Sequence, residues 1–233
     1  MKIAFVSGTS LLRSSLFATW EQRTITTPHG SVCLLMRDDH VVLNRHGAGA
    51  APLPPHRINH RAHIAALASL GFREVVSVCS VGSLRAGLPP GTFVSCSDYV
   101  ALQQGPATFF DDELKGGAPG IANRLLPHIL DGLGAAFPVT VGQTYVQTRG
   151  PRFETKAEIR VIREWGDVVG MTLAHEADLC TEAGLGCNSL AIVDNYANGI
   201  EGADIDFARF GELVRANQQK TDRLFARLLE IFA

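Results

Sequence analysis

Short apolar segments bounded by turn residues alternate with segments of helical periodicity along the chain, and this alternation restricts the fold more than any other feature. The apolar segments predict strands and the periodic segments predict helices. Strands are expected at residues 2–6, 32–36, 41–44, 75–78, 93–97, 139–148, 168–171 and 189–194. Helices are expected at residues 58–70, 121–133, 156–165, 176–183 and from about 206 onwards. The sequence therefore predicts an α/β fold with a central mixed β-sheet flanked by helices and with sites at the strand ends.

The bulk composition is that of an ordinary globular protein. A chain of 233 residues with 46% hydrophobic content can bury a sizeable core, so a single domain over residues 1–233 is expected. The net charge of -2 provides no global field for nucleic acid or an anionic membrane, so any anion must be held by a few placed groups. Five cysteines without a CxxC pair predict reduced thiols and a cytoplasmic protein. The first apolar segment predicts a strand rather than a signal peptide, and no apolar stretch has the length of a membrane span.

Three predicted strands end in residues that can hold an anion. Residues 7–10 (SGTS) offer backbone N–H groups and the Thr9 hydroxyl. Arg45 and His46 follow the strand at 41–44, where a guanidinium can make bidentate contacts with phosphate and a histidine can donate a further hydrogen bond. Residues 79–84 (CSVGSL) are small and let a backbone approach a ligand. An ordinary strand-to-loop turn at 7–10 and a surface arginine beside a core histidine remain the alternatives. Cys79 could act as a nucleophile, but no base stands beside it in sequence, which favours a buried structural thiol.

Two further segments suit a flat heterocycle. In the turn at residues 149–155 (RGPRFET), Phe153 can stack on a ring while Glu154 accepts a hydrogen bond from a ring N–H. The alternative is a helix start with Glu154 in its first turn. Asn195 follows the last predicted strand and can both donate and accept, which suits the N7 and O6 edge of a purine.

The sequence predicts no metal site. His175 and Glu176 are adjacent, but neither an HExxH motif nor other matching ligand spacing is present. Residues 103–120 form a glycine- and proline-rich insertion without periodicity, which predicts a surface loop that could move over a site.

Taken in order, these motifs resemble the trimeric purine nucleoside phosphorylase and methylthioadenosine phosphorylase family. The similar segments are SGTS, RHG, INHRAHIAALASLG, SVGSL, GPRFET, VGMT and VDNYA. The resemblance implies a phosphorylase/hydrolase-like fold, a homotrimer, a role in purine salvage, and phosphorolysis with inorganic phosphate as co-substrate and no other cofactor. Phosphate attacks C1′ of the ribose while the bond to the purine breaks, and the enzyme contributes positioning and electrostatics.

The resemblance also implies a role for each matching residue. The expected phosphate ligands are Thr9, Arg45, His46, Ser80 and Thr172. The expected ribose and base contacts are Val81, Gly82, Phe153, Glu154, Gly170, Met171 and Asn195. Within these sets, His46, Glu154 and Asn195 are expected to act in catalysis.

Substrate preference follows from departures at the base site. Methylthioadenosine enzymes usually carry a serine after GPRF and an Asp-x-Asp pair on the base strand, whereas this chain has Glu154, Asn195 and Ala197. A carboxylate for N1–H and an amide for O6 and N7 favour 6-oxopurines, because the wrong edge would leave buried polar groups unsatisfied. A 5′-methylthio substituent remains open. The 5′ end could be lined by Ile205, Phe207 or Phe210, for which a core role is the alternative.

Three other functions stay open at this point. A methylthioadenosine phosphorylase would prefer the 6-amino base. A nucleoside hydrolase of the same fold would release the base without phosphate, and a non-catalytic nucleoside-binding protein would release none.

Overall fold

The structure, a computed structural model, describes residues 1–8, 14–48, 51–102, 105, 107–118 and 120–233, without the side chain of Phe207. Its centre is a nine-stranded mixed sheet in the order β2-β3-β4-β1-β5-β8-β7-β6-β9. The strands are β1 (Ile3–Ser7), β2 (Glu21–Thr27), β3 (Gly30–Arg37), β4 (His40–Asn44), β5 (Glu74–Ser83), β6 (Phe93–Val100), β7 (Val139–Gln147), β8 (Val168–Gly170) and β9 (Gly186–Tyr196). The predicted α/β fold with a central mixed sheet is confirmed.

The sheet closes on itself at one end. β5 pairs with β8 on one side and with β9 on the other, so β5, β8, β7, β6 and β9 form a ring of strands. β1 runs parallel to both β4 and β5, and β9 runs parallel to β5. The carboxyl ends of these four strands therefore lie at the same edge of the sheet, where binding sites of α/β proteins form.

Helices cover the sheet on its two faces. They are α1 (His60–Ser69), α2 (Leu126–Leu133), α3 (Lys156–Ile162), α4 (Leu173–Glu182) and α5 (Phe207–Phe232). The apolar sides of α1 and α4 share one core cluster with strand residues such as Val6, Val75 and Val81. The apolar sides of α2 and α5 share a second cluster with Phe5, Val76 and other strand residues on the opposite face. Alternating strand side chains thus supply both cores.

Several elements differ from the sequence prediction. β5 continues to Ser83 and β9 to Tyr196, so residues 79–83 and Asn195 lie within strands rather than after them, and α4 begins at Leu173 rather than at residue 176. β2 was not predicted because it is a polar and largely exposed edge strand, which among the described strands pairs with β3 alone, so it lacks the apolar signal of a buried strand. The helix expected from residue 121 begins at Leu126. Asn123 has a positive φ of 46°, and its side chain donates to Cys96 O and accepts from Ser189 N, both at 2.8 Å. These contacts hold residue 123 in a non-helical conformation.

The described part of the 103–120 segment contains neither helix nor strand. These residues are bound to helices α1 and α4. Glu182 on α4 accepts from the Thr108 hydroxyl at 2.8 Å and from Phe109 N at 2.6 Å, and Arg61 on α1 pairs with Asp111. No helix among the described residues has both the length and the apolar character needed to cross a membrane.

Candidate active site

A cavity of about 920 Å³, counted with its open mouth, lies at the carboxyl edge of the sheet. Every predicted site residue that the structure describes lines it, whereas Thr9 lies outside the described residues. Two groups of lining residues are distinguished below. The residues expected to bind an anion, called the anion-binding set, are Arg45, His46, Ser80 and Thr172, and those expected to contact a purine, called the purine set, are Phe153, Glu154 and Asn195. Val81, Gly82, Gly170 and Met171 line the same cavity.

Arg45 is buried, with 2% exposure, and its guanidinium is directed at Glu176 on α4. Nε donates to Oε1 of Glu176 at 2.7 Å, and Nη2 donates to Oε2 at 3.2 Å. Further donor contacts reach Val6 O at 3.0 Å, Ser77 Oγ at 3.2 Å and Val78 O at 3.1 Å. Burial alone would lower the pKa of Arg45, but Glu176 raises it, so the guanidinium stays charged. The expectation of bidentate contacts with phosphate is therefore corrected, because a carboxylate already occupies that fork.

His46 has a defined tautomer. Its Nδ1 lies 2.7 Å from the carbonyl oxygen of Leu53, and a carbonyl can only accept, so Nδ1 carries the proton. Burial lowers the pKa of His46, the hydrogen bond to Leu53 opposes this fall, and the neighbouring Arg45 charge adds to it, so the neutral ring is favoured. Nε2 then carries a lone pair. In this state the ring can accept from a protonated oxygen of phosphate, whereas donation from Nε2 to an anion requires the charged ring.

Gly8 leaves open the space in front of Arg45 and His46. A Cβ at this position would lie 2.9 Å from His46 Nε2 and 3.0 Å from Arg45 Nη1. Both nitrogens thus face the backbone that follows β1. The absence of a side chain at this position leaves both nitrogens accessible from that side.

Thr172 precedes α4, and its hydroxyl makes no capping bond to the helix. Instead the buried Tyr145 phenol accepts from Thr172 N at 3.0 Å, and Gln147 Oε1 accepts from Ala174 N at 2.7 Å. These bonds use the N–H groups of Thr172 and Ala174 at the start of α4. The Thr172 hydroxyl is therefore the group of this helix end that remains for the cavity. It lies 3.8 Å from the buried Cys79 thiol, whose pKa is raised by burial.

Ser80 is supported from the α5 side of the sheet. The Asp194 carboxyl is 2% exposed and accepts from Asn217 Nδ2 at 2.8 Å as well as from the Ser80 hydroxyl. Burial raises the pKa of Asp194, while the two hydrogen bonds act against that rise. Asp194 thereby fixes one residue of the anion-binding set.

Glu154 belongs to the cavity rather than to the start of α3. The helix is capped by Thr155 and Glu158, which form a reciprocal capping box. The Glu154 carboxyl is buried, accepts from the Thr148 hydroxyl at 2.5 Å and has a pKa that burial raises. Asn198 Nδ2 donates to the Glu154 carbonyl at 2.8 Å and fixes the turn. A carboxylate held in this way can accept a single ring N–H.

Asn195 and Phe153 provide the remainder of the purine set. Asn195 is 5% exposed, and its Nδ2 donates to Tyr196 O at 2.8 Å, which orients the amide and leaves one N–H and Oδ1 for a ligand. A Cβ at Gly82 would lie 3.3 Å from that Nδ2, so the glycine keeps room for a base. Phe153 packs edge-on against Phe210 of α5, with ring centroids 5.4 Å apart.

Ile205 and Phe210 line the cavity together with Pro55, Ala197 and Asn198. Asn198 Oδ1 accepts from Ile205 N at 2.7 Å, so the same side chain that holds Glu154 also holds the segment that carries Ile205. Of the three residues expected near the 5′ end, Ile205 and Phe210 thus lie at the cavity wall. The structure does not describe the side chain of Phe207.

Glu176 is paired with Arg45, whereas its neighbour His175 packs against another histidine. Its ring lies 5.3 Å from that of His60, and burial lowers the pKa of His60, His63 and His175, so all three are packed as neutral rings. Within the described ranges, no group of three or more His, Cys, Asp or Glu side chains could hold a metal ion.

Four polar residues of the site were missed by sequence reasoning. Glu176, Tyr145, Gln147 and Asn198 each hold a cavity residue or its backbone. The available signal was a charged residue on the otherwise apolar face of α4, together with the i,i+2 spacing of Tyr145 and Gln147 at the end of a strand. Neither pattern identifies the partner across the fold.

The chain is similar to known proteins over nearly its whole length. A family model described as "Phosphorylase superfamily" matches residues 2–230. A "Probable 6-oxopurine nucleoside phosphorylase" of Archaeoglobus fulgidus is 35% identical over 94% of this chain and 91% of its own length. A "Probable S-methyl-5'-thioinosine phosphorylase" of Methanopyrus kandleri is 36% identical over 90% of this chain and 85% of its own length. The solved structure of methylthioadenosine phosphorylase from Schistosoma mansoni in complex with adenine has a TM-score of 0.85 at 27% identity, covering 100% of this chain and 92% of that one. The chain belongs to the phosphorylase superfamily.

Proposed function

We propose that the protein is a purine nucleoside phosphorylase, a pentosyltransferase that uses inorganic phosphate to release the base of a 6-oxopurine nucleoside as ribose 1-phosphate forms. One observation carries the proposal: a single cavity combines the anion-binding set with the purine set. The names of the Archaeoglobus fulgidus and Methanopyrus kandleri relatives support the same activity.

Phosphate is positioned by few charges and several directed groups. One N–H of Arg45 Nη1, the hydroxyl of Thr172 and the lone pair of His46 Nε2 face the anion. Ser80, whose hydroxyl donates to Asp194, lines the cavity beside them. A monohydrogen phosphate matches this set, because its P–O–H donates to Nε2 while its other oxygens accept. A phosphate oxygen then forms a bond to C1′ as the C1′–N9 bond breaks, and the electron pair of that bond passes to the purine.

The purine set stabilises the departing base. Asn195 Oδ1 accepts from N7–H once N7 is protonated by solvent, and its free Nδ2–H donates to O6, where negative charge grows. Glu154 accepts from N1–H. Phe153 offers the aromatic face for stacking.

A 5′-methylthio nucleoside, 5′-methylthioinosine, is the second candidate substrate. The apolar side chains of Ile205 and Phe210 at the cavity wall favour it, since a thioether gains from apolar surroundings that offer a 5′-hydroxyl no partner. The name of the Methanopyrus kandleri relative also supports a 5′-methylthio substrate.

A panel of inosine, 5′-methylthioinosine, adenosine and 5′-methylthioadenosine, each with and without phosphate, tests the function. Base is expected to be released only with phosphate, and faster from the 6-oxo pair. Equal rates in both buffers would identify a hydrolase, and no release from any nucleoside would identify a binding protein. A faster 6-amino pair would contradict the assigned base preference.

Gly8→Ala is expected to raise the KM for phosphate by about ten-fold or more, because the added methyl fills the space between Arg45 and His46. His46 cannot move aside without losing its bond to Leu53 O. Gly87→Ala is the matched control, since a Cβ there meets nothing within 4 Å. Steady-state kinetics with phosphate varied give the result, and equal KM values for both variants would contradict the placement of the anion.

We also propose that residues 1–233 form one domain and that the enzyme is a cytoplasmic homotrimer acting in purine salvage. The family resemblance supports the trimer and the pathway. All five cysteines are unpaired, which agrees with a reducing compartment.

A further inference from the structure

Glu176 is a buried carboxylate beneath the anion-binding set with no part in the chemistry described so far. It is 1% exposed and lies on α4, one turn after Thr172. Besides Arg45, it accepts from the Ser77 hydroxyl, whose Oγ lies 2.5 Å from Oε2. His60 Nδ1 lies 3.8 Å from Oε1, and burial holds the pKa of His60 well below its usual value, so that ring adds no charge. Glu176 is therefore the direct counter-ion of Arg45.

Most hydrogens of the Arg45 guanidinium are already donated to protein groups. The single Nε hydrogen goes to Glu176, and Nη2 has two hydrogens for Glu176 Oε2, Ser77 Oγ and Val6 O. One Nη1 hydrogen goes to Val78 O. Among the described residues no acceptor takes the other Nη1 hydrogen, which is on an atom that faces Gly8 and His46 Nε2.

The ion pair also sets the charge that phosphate meets. A carboxylate at hydrogen-bonding distance offsets most of the field of the guanidinium, and His46 is neutral. The anion is thus held by direction more than by net charge. Binding by direction requires a guanidinium that cannot rotate. The two hydrogen bonds from Arg45 to Glu176 prevent this rotation.

We propose that Glu176 is a positioning residue for phosphorolysis: with Ser77 it fixes Arg45 so that one Nη1 hydrogen points at the bound phosphate. This inference rests on the proposed function. It assigns Glu176 a selective effect on phosphate, which a residue that only stabilises the fold would not have.

Glu176→Gln tests the inference in the full-length enzyme. An amide presents one acceptor and turns its NH₂ towards a guanidinium donor, so the fork loses one of its two bonds. The KM for phosphate is expected to rise by about ten-fold or more, with the KM for the nucleoside within about two-fold of wild type. Glu176→Asp keeps the charge on a shorter stem and is expected to give an intermediate KM for phosphate.

Glu182→Gln is the matched control on the same helix. Its carboxylate binds Thr108 and Phe109 rather than a cavity residue, so the KM for phosphate is expected to stay at the wild-type value. Circular dichroism and thermal melting establish that each variant is folded.

An unchanged phosphate KM in folded Glu176→Gln, or an equal rise of both KM values, would overturn the inference. If Glu176→Gln does not fold, Ser77→Ala replaces it, because it removes the hydroxyl shared by Arg45 and Glu176. A rise in phosphate KM of about three-fold is then expected, and no rise would overturn the inference. A wild-type enzyme that releases base without phosphate would instead refute the proposed function itself.

Discussion

Replacing Asn195 with aspartate is expected to shift the preference of the enzyme from 6-oxopurine towards 6-aminopurine nucleosides. The Asn195 side chain is buried, and its remaining Nδ2–H is the donor available for O6. Aspartate has only acceptors when ionised, so it repels O6 and accepts from a 6-amino group. A buried polar group that faces the wrong edge loses a hydrogen bond and leaves its partner unsatisfied.

The ratio of kcat/KM for inosine to that for adenosine measures this shift and is expected to fall by about a hundred-fold. Total activity is also expected to fall, because one carboxylate oxygen would face Tyr196 O, to which Nδ2 now donates at 2.8 Å. Asn59→Asp is the matched control: it introduces the same carboxylate at the exposed cap of α1, where aspartate also caps well. An unchanged ratio in folded Asn195→Asp would refute the account of base recognition.

Much of the fold follows from periodicity, because alternation of apolar residues reports burial directly. The strands that carry the site and all five helices were predicted in type, although α2 begins later than expected. The closing of the sheet was not predicted. It depends on the pairing of β5 with β9. The residues of either segment alone do not indicate which distant strand becomes its partner.

The candidate site was predictable as a set of strand ends but not as a set of contacts. Arg45 and His46 were expected to be anion ligands and both line the cavity, yet the guanidinium of Arg45 is already bound to a carboxylate. The partner of Arg45 is Glu176, 131 residues away, and the tautomer of His46 follows from the Leu53 carbonyl. A motif predicts which group is present, whereas its free hydrogens depend on neighbours brought in by the fold.

Glu154 is expected to make kcat/KM for inosine fall on acidification at a pH above the usual titration range of a glutamate. Burial raises the pKa of this carboxyl, and only the ionised form accepts from N1–H. As the pH falls through the raised pKa, Glu154 takes up a proton and that hydrogen bond is lost. Glu154→Gln removes the ionisation, since its amide oxygen accepts at every pH, and is expected to lower kcat/KM by about ten-fold at neutral pH.

The ratio of wild-type to Glu154→Gln kcat/KM, measured from pH 8 to pH 5, isolates this group because the ionisation of phosphate itself cancels. The ratio is expected to fall with pH, and a constant ratio would contradict the role of Glu154. Glu158→Gln is the control: hydrogen bonds from Arg152 lower the pKa of Glu158 to about 2, so its ratio to wild type is expected to stay constant. Thr148→Val gives the sharpest test. The Thr148 hydroxyl opposes the rise in the pKa of Glu154, so its removal is expected to move the acidic limb to higher pH.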